Sequence, residues 1–136
     1  MKQVLDHVGI AVENLDLAIS DYQSKFGFKL DLREKVPSQK VELAFLKLDN
    51  TKLELLMPTS PDSTLRKFLD SRGPGLHHIC YEVGDIVAEL ARLKELGLKL
   101  IDQVPRPGAH NTLIAFLHPK STGGVLTELC QYKPLK

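Results

Sequence analysis

The sequence predicts an α+β domain made from two copies of one β-α-β-β-β module. Three observations carry that prediction. The chain has 136 residues with 43% hydrophobic and 26% charged side chains, which suits one globular domain with a sizeable core. It repeats itself at an offset of 71 residues. Each copy also shows one strand-like run, one stretch at helical spacing, and three further strand-like runs.

The repeat is an ordered series of matches. Leu5-Asp6-His7-Val8 aligns with Leu76-His77-His78-Ile79, and Val12, Asn14, Leu15, Ile19 and Tyr22 fall on Val83, Asp85, Ile86, Leu90 and Leu93. After one deletion, Gly27-Phe28-Lys29-Leu30 meets Gly97-Leu98-Lys99-Leu100. Ala44-Phe45-Leu46 then meets Ala115-Phe116-Leu117, and Glu54-Leu55 meets Glu128-Leu129. In the first copy Val4–Val12 reads as a strand, and Asn14 caps a helix whose apolar positions are Leu15, Ile19, Tyr22 and Phe26, stopped by Gly27. Strands follow over Phe28–Val36, Lys40–Leu48 and Thr51–Met57. The second copy reads as a strand over Leu76–Val83, a helix from Ile86 to Leu96 stopped by Gly97, then strands over Leu98–Val104, Thr112–Leu117 and Gly124–Gln131. Pro58, Pro61, Gly73, Pro74 and Gly75 mark a linker, within which Asp62 or Ser63 starts a short helix through Leu69. Module one covers about 1–58, the linker about 59–74 and module two about 75–133. One module leaves its open sheet half covered, so the two pair to make one domain.

Four polar residues occupy repeat-equivalent places. His7 and His78 stand in the first strand of each copy, and Glu54 and Glu128 stand in the last. Side chains alternate along a strand, so His7 shares a face with the small Gly9 and Ala11, which leave room for a cavity. Glu54 and Glu128 lie in leucine-rich runs that should be buried, and a buried carboxylate needs a counter-charge. No Lys or Arg is adjacent to either in the sequence. A divalent ion held by two imidazoles and two carboxylates answers the need, and Co, Ni, Zn, Mn and Fe(II) all suit such donors. Alternation sends His77 to the opposite face. His110 reads as a solvated loop residue, His118 as a loop residue lining the site entrance, and Glu82 and Glu89 as exposed charges. Glu42 shares a face with Ala44, Leu46 and Leu48. It reads either as a fifth polar group facing the cavity or as an edge-strand charge that discourages aggregation.

Other function classes are excluded on composition. Eighteen basic and 17 acidic residues are well mixed, with net charge +1 and no basic face, which argues against nucleic acid. No apolar run is long enough for a membrane span, and residues 1–12 carry no signal-peptide pattern. Cys80 and Cys130 read as buried reduced thiols, consistent with a cytoplasmic protein.

With these residues in view, the sequence resembles the vicinal-oxygen-chelate superfamily and, within it, the methylmalonyl-CoA epimerase family. The carriers are residues 6–12 (DHVGIAV), 51–56 (TKLELL), 75–79 (GLHHI) and 118–129 (HPKSTGGVLTEL). The resemblance implies a partly open, eight-stranded, barrel-like sheet around the metal site and a homodimer. It implies His7, Glu54, His78 and Glu128 as metal ligands, and Glu42 and Glu128 as the two proton-handling residues. Some epimerases resemble this chain except for glutamine at the position of Glu54, and its His-Glu-His-Glu set is also similar to that of glyoxalase I. The implied activity is epimerisation of methylmalonyl-CoA by removal and return of the α-proton. The alternatives are a glyoxalase I-type lactoylglutathione lyase and a non-catalytic binding module of the same fold. The coenzyme A tail, part of an acyl-CoA substrate and not a cofactor, is expected near Lys120, Arg106 and His118.

Overall fold

The computed structural model describes residues 1–134. Its elements run β1 (Val4–Ala11), α1 (Leu15–Phe26), β2 (Lys29–Val36), β3 (Val41–Lys47), β4 (Lys52–Pro58), α2 (Thr64–Arg72), β5 (Gly75–Glu82), α3 (Ile86–Glu95), β6 (Arg106–Gly108), β7 (Thr112–Leu117) and β8 (Thr127–Tyr132). Among the described residues, eight strands and three α-helices make the fold α+β. None of the helices among the described residues is long and apolar enough to cross a membrane. Two compact units divide the chain. One is His7–His77; the other joins Met1–Asp6 to the chain from His78 onward.

In the first unit the strand order is β2-β3-β4-β1, with β1 parallel to β4 and the other pairs antiparallel. Asn14 Oδ1 accepts the Leu17 N–H at 3.0 Å and so opens α1, while Gly27 closes it in the left-handed region at φ 69°. The helix lays Leu15 and Ile19 on Val12, Ala44, Leu46 and Leu55, with Ile10, Leu53 and Met57 beside them. These strand residues share one face, as alternation requires. Leu55 is 0% exposed there, whereas Leu17 on the outer side of α1 is 67% exposed. Leu55→Ala is therefore expected to cost about 2–5 kcal/mol in chemical denaturation, and Leu17→Ala less than about 0.5 kcal/mol. Equal losses would mean that α1 does not cover this face.

The second unit repeats the plan. Its order is β5-β8-β7-β6, with β5 parallel to β8 and the remaining pairs antiparallel. Asp85 Oδ1 caps α3 through the Ala88 N–H at 3.1 Å, and α3 buries Ile86, Leu90 and Leu93 on Ala115, Leu117 and Leu129. The opposite face holds Cys80, Ile114, Phe116 and Cys130. Both cysteines are buried free thiols, and burial pushes the Cys80 thiol well above its ordinary range. The start of β1 belongs to this unit, where Asp6 Oδ1 accepts the Tyr132 hydroxyl at 2.7 Å.

One expected strand needs correction. Residues 98–104 do not form one; they make a single bridge, Leu100 to Leu117, and the sixth strand is Arg106–Gly108. The cause is Asp102, whose Oδ2 accepts the Phe116 N–H at 2.8 Å that a neighbouring strand would otherwise take. The linker helix begins at Ser63, whose Oγ accepts the Leu65 N–H, and runs three residues beyond Leu69.

Candidate functional site

Each unit carries one buried histidine–glutamate pair at the same place in its module. In the first, β1 and β4 run parallel with Gly9 opposite Glu54, which puts Glu54 on the His7 side of the sheet. His7 Nε2 stands 3.5 Å from Glu54 Oε1, and Phe45 meets the His7 ring edge-on with centroids 5.3 Å apart. In the second, Cys80 lies opposite Glu128, which places Glu128 on the His78 side. His78 Nε2 stands 3.2 Å from Glu128 Oε1, and Phe116 meets the His78 ring edge-on at 5.6 Å. All four polar residues are at most 5% exposed. In both units the pair occupies the face away from the long helix.

The separations bear on what holds these pairs. A charge-assisted imidazole–carboxylate hydrogen bond closes to about 2.7–2.9 Å. Two donors sharing one metal through bonds of about 2.1 Å stand roughly 3.0–3.4 Å apart in tetrahedral or octahedral geometry. The His78–Glu128 separation of 3.2 Å falls in the second range and the His7–Glu54 separation of 3.5 Å just beyond it. Buried imidazole nitrogens and carboxylate oxygens of this kind are donors that suit a divalent cation.

Glu42 is placed otherwise than its companions in sequence suggested. Ala44 and Leu46 pack under α1, so the face they share with Glu42 is the helix face and not the His7 face. Glu42 lies opposite Met57, a residue of that same cluster, while Glu54 lies opposite Phe45. The Glu42 carboxylate accepts from Arg33 Nε at 2.8 Å, and Arg33 also binds Asp16 at the start of α1. The two carboxylates hold the Arg33 guanidinium above its usual range. The structure brings His7 to Glu54 and His78 to Glu128, and leaves Glu42 in a three-member ion cluster on the other side of β3.

The remaining candidates sit as follows. His77 packs edge-on against Phe68 of α2 at 4.8 Å, off the His78 face, as alternation required. His118 caps the 3₁₀ turn Pro119–Ser121, its Nδ1 accepting the Lys120 N–H at 3.1 Å, and Lys120 lies exposed in that turn. Arg106 Nε is 3.4 Å from Asp102 Oδ1, with its guanidinium over the Phe116 ring. His110 occupies the β6–β7 turn in the left-handed region, its ring against Tyr132. Sequence reasoning passed over Phe45 and Phe116, although they match at the repeat offset. It also passed over Lys52, the register partner of His7, which only strand pairing reveals.

The family model described as Glyoxalase/Bleomycin resistance protein/Dioxygenase superfamily matches residues 6–116. The ethylmalonyl-CoA/methylmalonyl-CoA epimerase of Cereibacter sphaeroides is 42% identical over 129 residues, which is 93% of this chain and 96% of that protein. The mitochondrial methylmalonyl-CoA epimerase of Homo sapiens is 40% identical over 93% of this chain and 73% of its own. Among solved structures, a variant of the Streptomyces coelicolor methylmalonyl-CoA epimerase in complex with 2-nitronate-propionyl-CoA superposes with a TM-score of 0.93 at 36% identity, over 98% of this chain and 96% of that one.

Proposed function

The chain belongs to the Glyoxalase/Bleomycin resistance protein/Dioxygenase superfamily, and on that premise we propose that it is an isomerase that epimerises methylmalonyl-CoA with the help of one divalent metal ion. The observation that carries the reading is the buried His-Glu pair at equivalent places in both modules, in a chain 42% identical over nearly its full length to an ethylmalonyl-CoA/methylmalonyl-CoA epimerase. His7, Glu54, His78 and Glu128 would hold the ion. When bound, a divalent ion supplies Lewis acidity that stabilises negative charge growing on a thioester oxygen.

The side chains do the rest. The α-hydrogen between a thioester and a carboxylate is weakly acidic, and a positioned carboxylate removes it. Epimerisation returns the proton to the opposite face, so one acid and one base must flank the α-carbon, exchanging roles with direction. Glu128 is one of them. It is fixed in β8 among Leu129, Cys130 and Phe116, where little water competes for the proton. Its counterpart belongs to the first module. The resemblance implies Glu42, and the strand register favours Glu54, which shares the His7 face and is the repeat equivalent of Glu128. Phe45 and Phe116 hold the two imidazoles at fixed angles. Two buried free thiols suit a reducing cytoplasm. A homodimer, implied by the resemblance, completes the proposal.

Proton NMR of methylmalonyl-CoA in heavy water tests the reaction directly. The metal-loaded protein should interconvert the epimers and replace the α-hydrogen by deuterium, and a chelator should stop both until the metal is restored. Turnover of the glutathione–methylglyoxal adduct with no exchange of methylmalonyl-CoA would replace this reading with the lyase.

A further inference from the structure

The second unit gathers another set of ligating side chains beyond the His78–Glu128 pair. Cys80 of β5 and Cys130 of β8 each stand two residues past His78 and Glu128 in their own strands, and so share the His78 face. The parallel register sets Cys80 opposite Glu128 and Glu82 opposite Cys130, which puts the two cysteines on a diagonal of the ladder. The same diagonal, two residues earlier on both strands, brings His78 Nε2 and Glu128 Oε1 to 3.2 Å. Asp6, at the start of β1, completes the group. One carboxylate oxygen of Asp6 and the two Sγ atoms all lie within 4.8 Å of one another. Asp6 is 8% exposed, Cys80 0% and Cys130 1%. Tyr132, packed on the same cluster as the cysteines, donates its hydroxyl to Asp6 Oδ1 at 2.7 Å. The repeat puts Gly9 and Leu56 at the equivalents of Cys80 and Cys130, and His77 at that of Asp6, so duplication of the module does not account for the group.

We propose that Asp6, Cys80 and Cys130 form a second metal site, which takes one thiophilic cation of the zinc or cadmium type. The donors decide the class of ion. Two sulfurs and one carboxylate suit a soft or borderline cation, whereas the histidine–glutamate pairs offer only nitrogen and oxygen. Bonds of about 2.3 Å to sulfur and 2.0–2.2 Å to oxygen set ligand atoms roughly 3.6–4.0 Å apart in tetrahedral or trigonal geometry. That spacing lies inside the 4.8 Å that bounds the group. The Tyr132 hydroxyl orients the Asp6 carboxylate, as outer hydrogen-bond partners of metal ligands do. Each thiol gives up its proton as its sulfur bonds to the ion, with no change of oxidation state. The bound ion ties the start of β1 to β5 and β8, adding to the Tyr132–Asp6 hydrogen bond and the Lys2–Glu82 ion pair already there. None of these residues has a part in the epimerisation proposed above, so the site stands or falls apart from that reading.

Cadmium is the probe, because thiolate–cadmium bonds give an ultraviolet charge-transfer band that imidazole and carboxylate ligands do not. Titration of the reduced, folded full-length protein with Cd2+ should raise that band to saturation at one thiolate-bound ion per chain, with circular dichroism unchanged. Cys80 and Cys130 are the chain's two cysteines, so the band reports on this site alone. Cys80→Ser and Cys130→Ser should each bring the band to half or less, with alanine in the same positions if a serine variant fails to fold. Asp6→Asn should keep the band but weaken cadmium binding at least tenfold, the least expected of a lost ligand. His78→Ala should leave the band in place, which separates this site from the histidine–glutamate pairs. No band at saturating cadmium, a band that grows only as the fold is lost, or full intensity in either cysteine variant overturns the proposal. Wild-type cadmium affinity in Asp6→Asn does so as well, since it leaves two cysteines without the third ligand claimed for them.

Discussion

His7→Ala and His78→Ala should each strip the protein of its metal, with affinity falling more than 100-fold and epimerisation falling at least as far. Both histidines are 4% exposed and direct Nε2 toward a glutamate of their own module. Loss of one imidazole removes a coordinate bond and leaves a buried carboxylate facing a void. Partners one shell further out already cost 10–100-fold when removed, so a ligand should cost more. The repeat makes the prediction sharper: two substitutions far apart in sequence should give the same phenotype. Metal content of the purified variants and the absorption of a cobalt-loaded sample report binding independently of turnover. Circular dichroism guards against a trivial result, and His→Gln in the same positions serves if an alanine variant fails to fold. Full metal content in either variant would show that its histidine is a packing residue.

Much of this was legible before any coordinates. The repeat located both histidines, 71 residues apart, and both glutamates, 74 apart after small loop insertions, because a duplicated module keeps the place of a side chain even where loops differ. Caps were legible too: Asn14 and Asp85 occupy equivalent positions and do equivalent work. Residues 98–104 misled because Leu98, Leu100 and Ile101 have the composition of a strand, while the choice of pairing was made by the Asp102 side chain. Glu42 misled for a related reason. Alternation tells which residues share a face but not which face the helix covers, and apolar companions occur on both sides of a buried sheet. Ala44 and Leu46 lie under α1, while Leu43 and Phe45 fill the other side. The grouping of Asp6 with Cys80 and Cys130 was out of reach altogether, since cross-strand neighbours follow from register and register follows from loops whose lengths carry no label.

The strand register also makes a prediction about which carboxylate moves the second proton. Glu54→Gln keeps an amide oxygen in the ligand position, so metal should stay bound within about tenfold of wild type. Epimerisation should nevertheless fall by about 10²-fold or more, the scale of a lost general base. The variant should still exchange the α-proton of one epimer through Glu128 while failing to convert it into the other. Glu42→Gln should behave differently. It weakens an ion pair to Arg33 at a position 16% exposed, a loss of about 1 kcal/mol or less in stability, with epimerisation within roughly twofold of wild type. Solvent exchange measured separately for each epimer, alongside metal content, separates the cases. A 10²-fold loss in Glu42→Gln with metal retained and Glu54→Gln active would restore the assignment that the resemblance implies. It would also require Glu42 to leave Arg33 and turn to the His7 face during the reaction. Removing the guanidinium should then help, so Arg33→Ala would raise the rate in that case and leave it unchanged if Glu54 is the base.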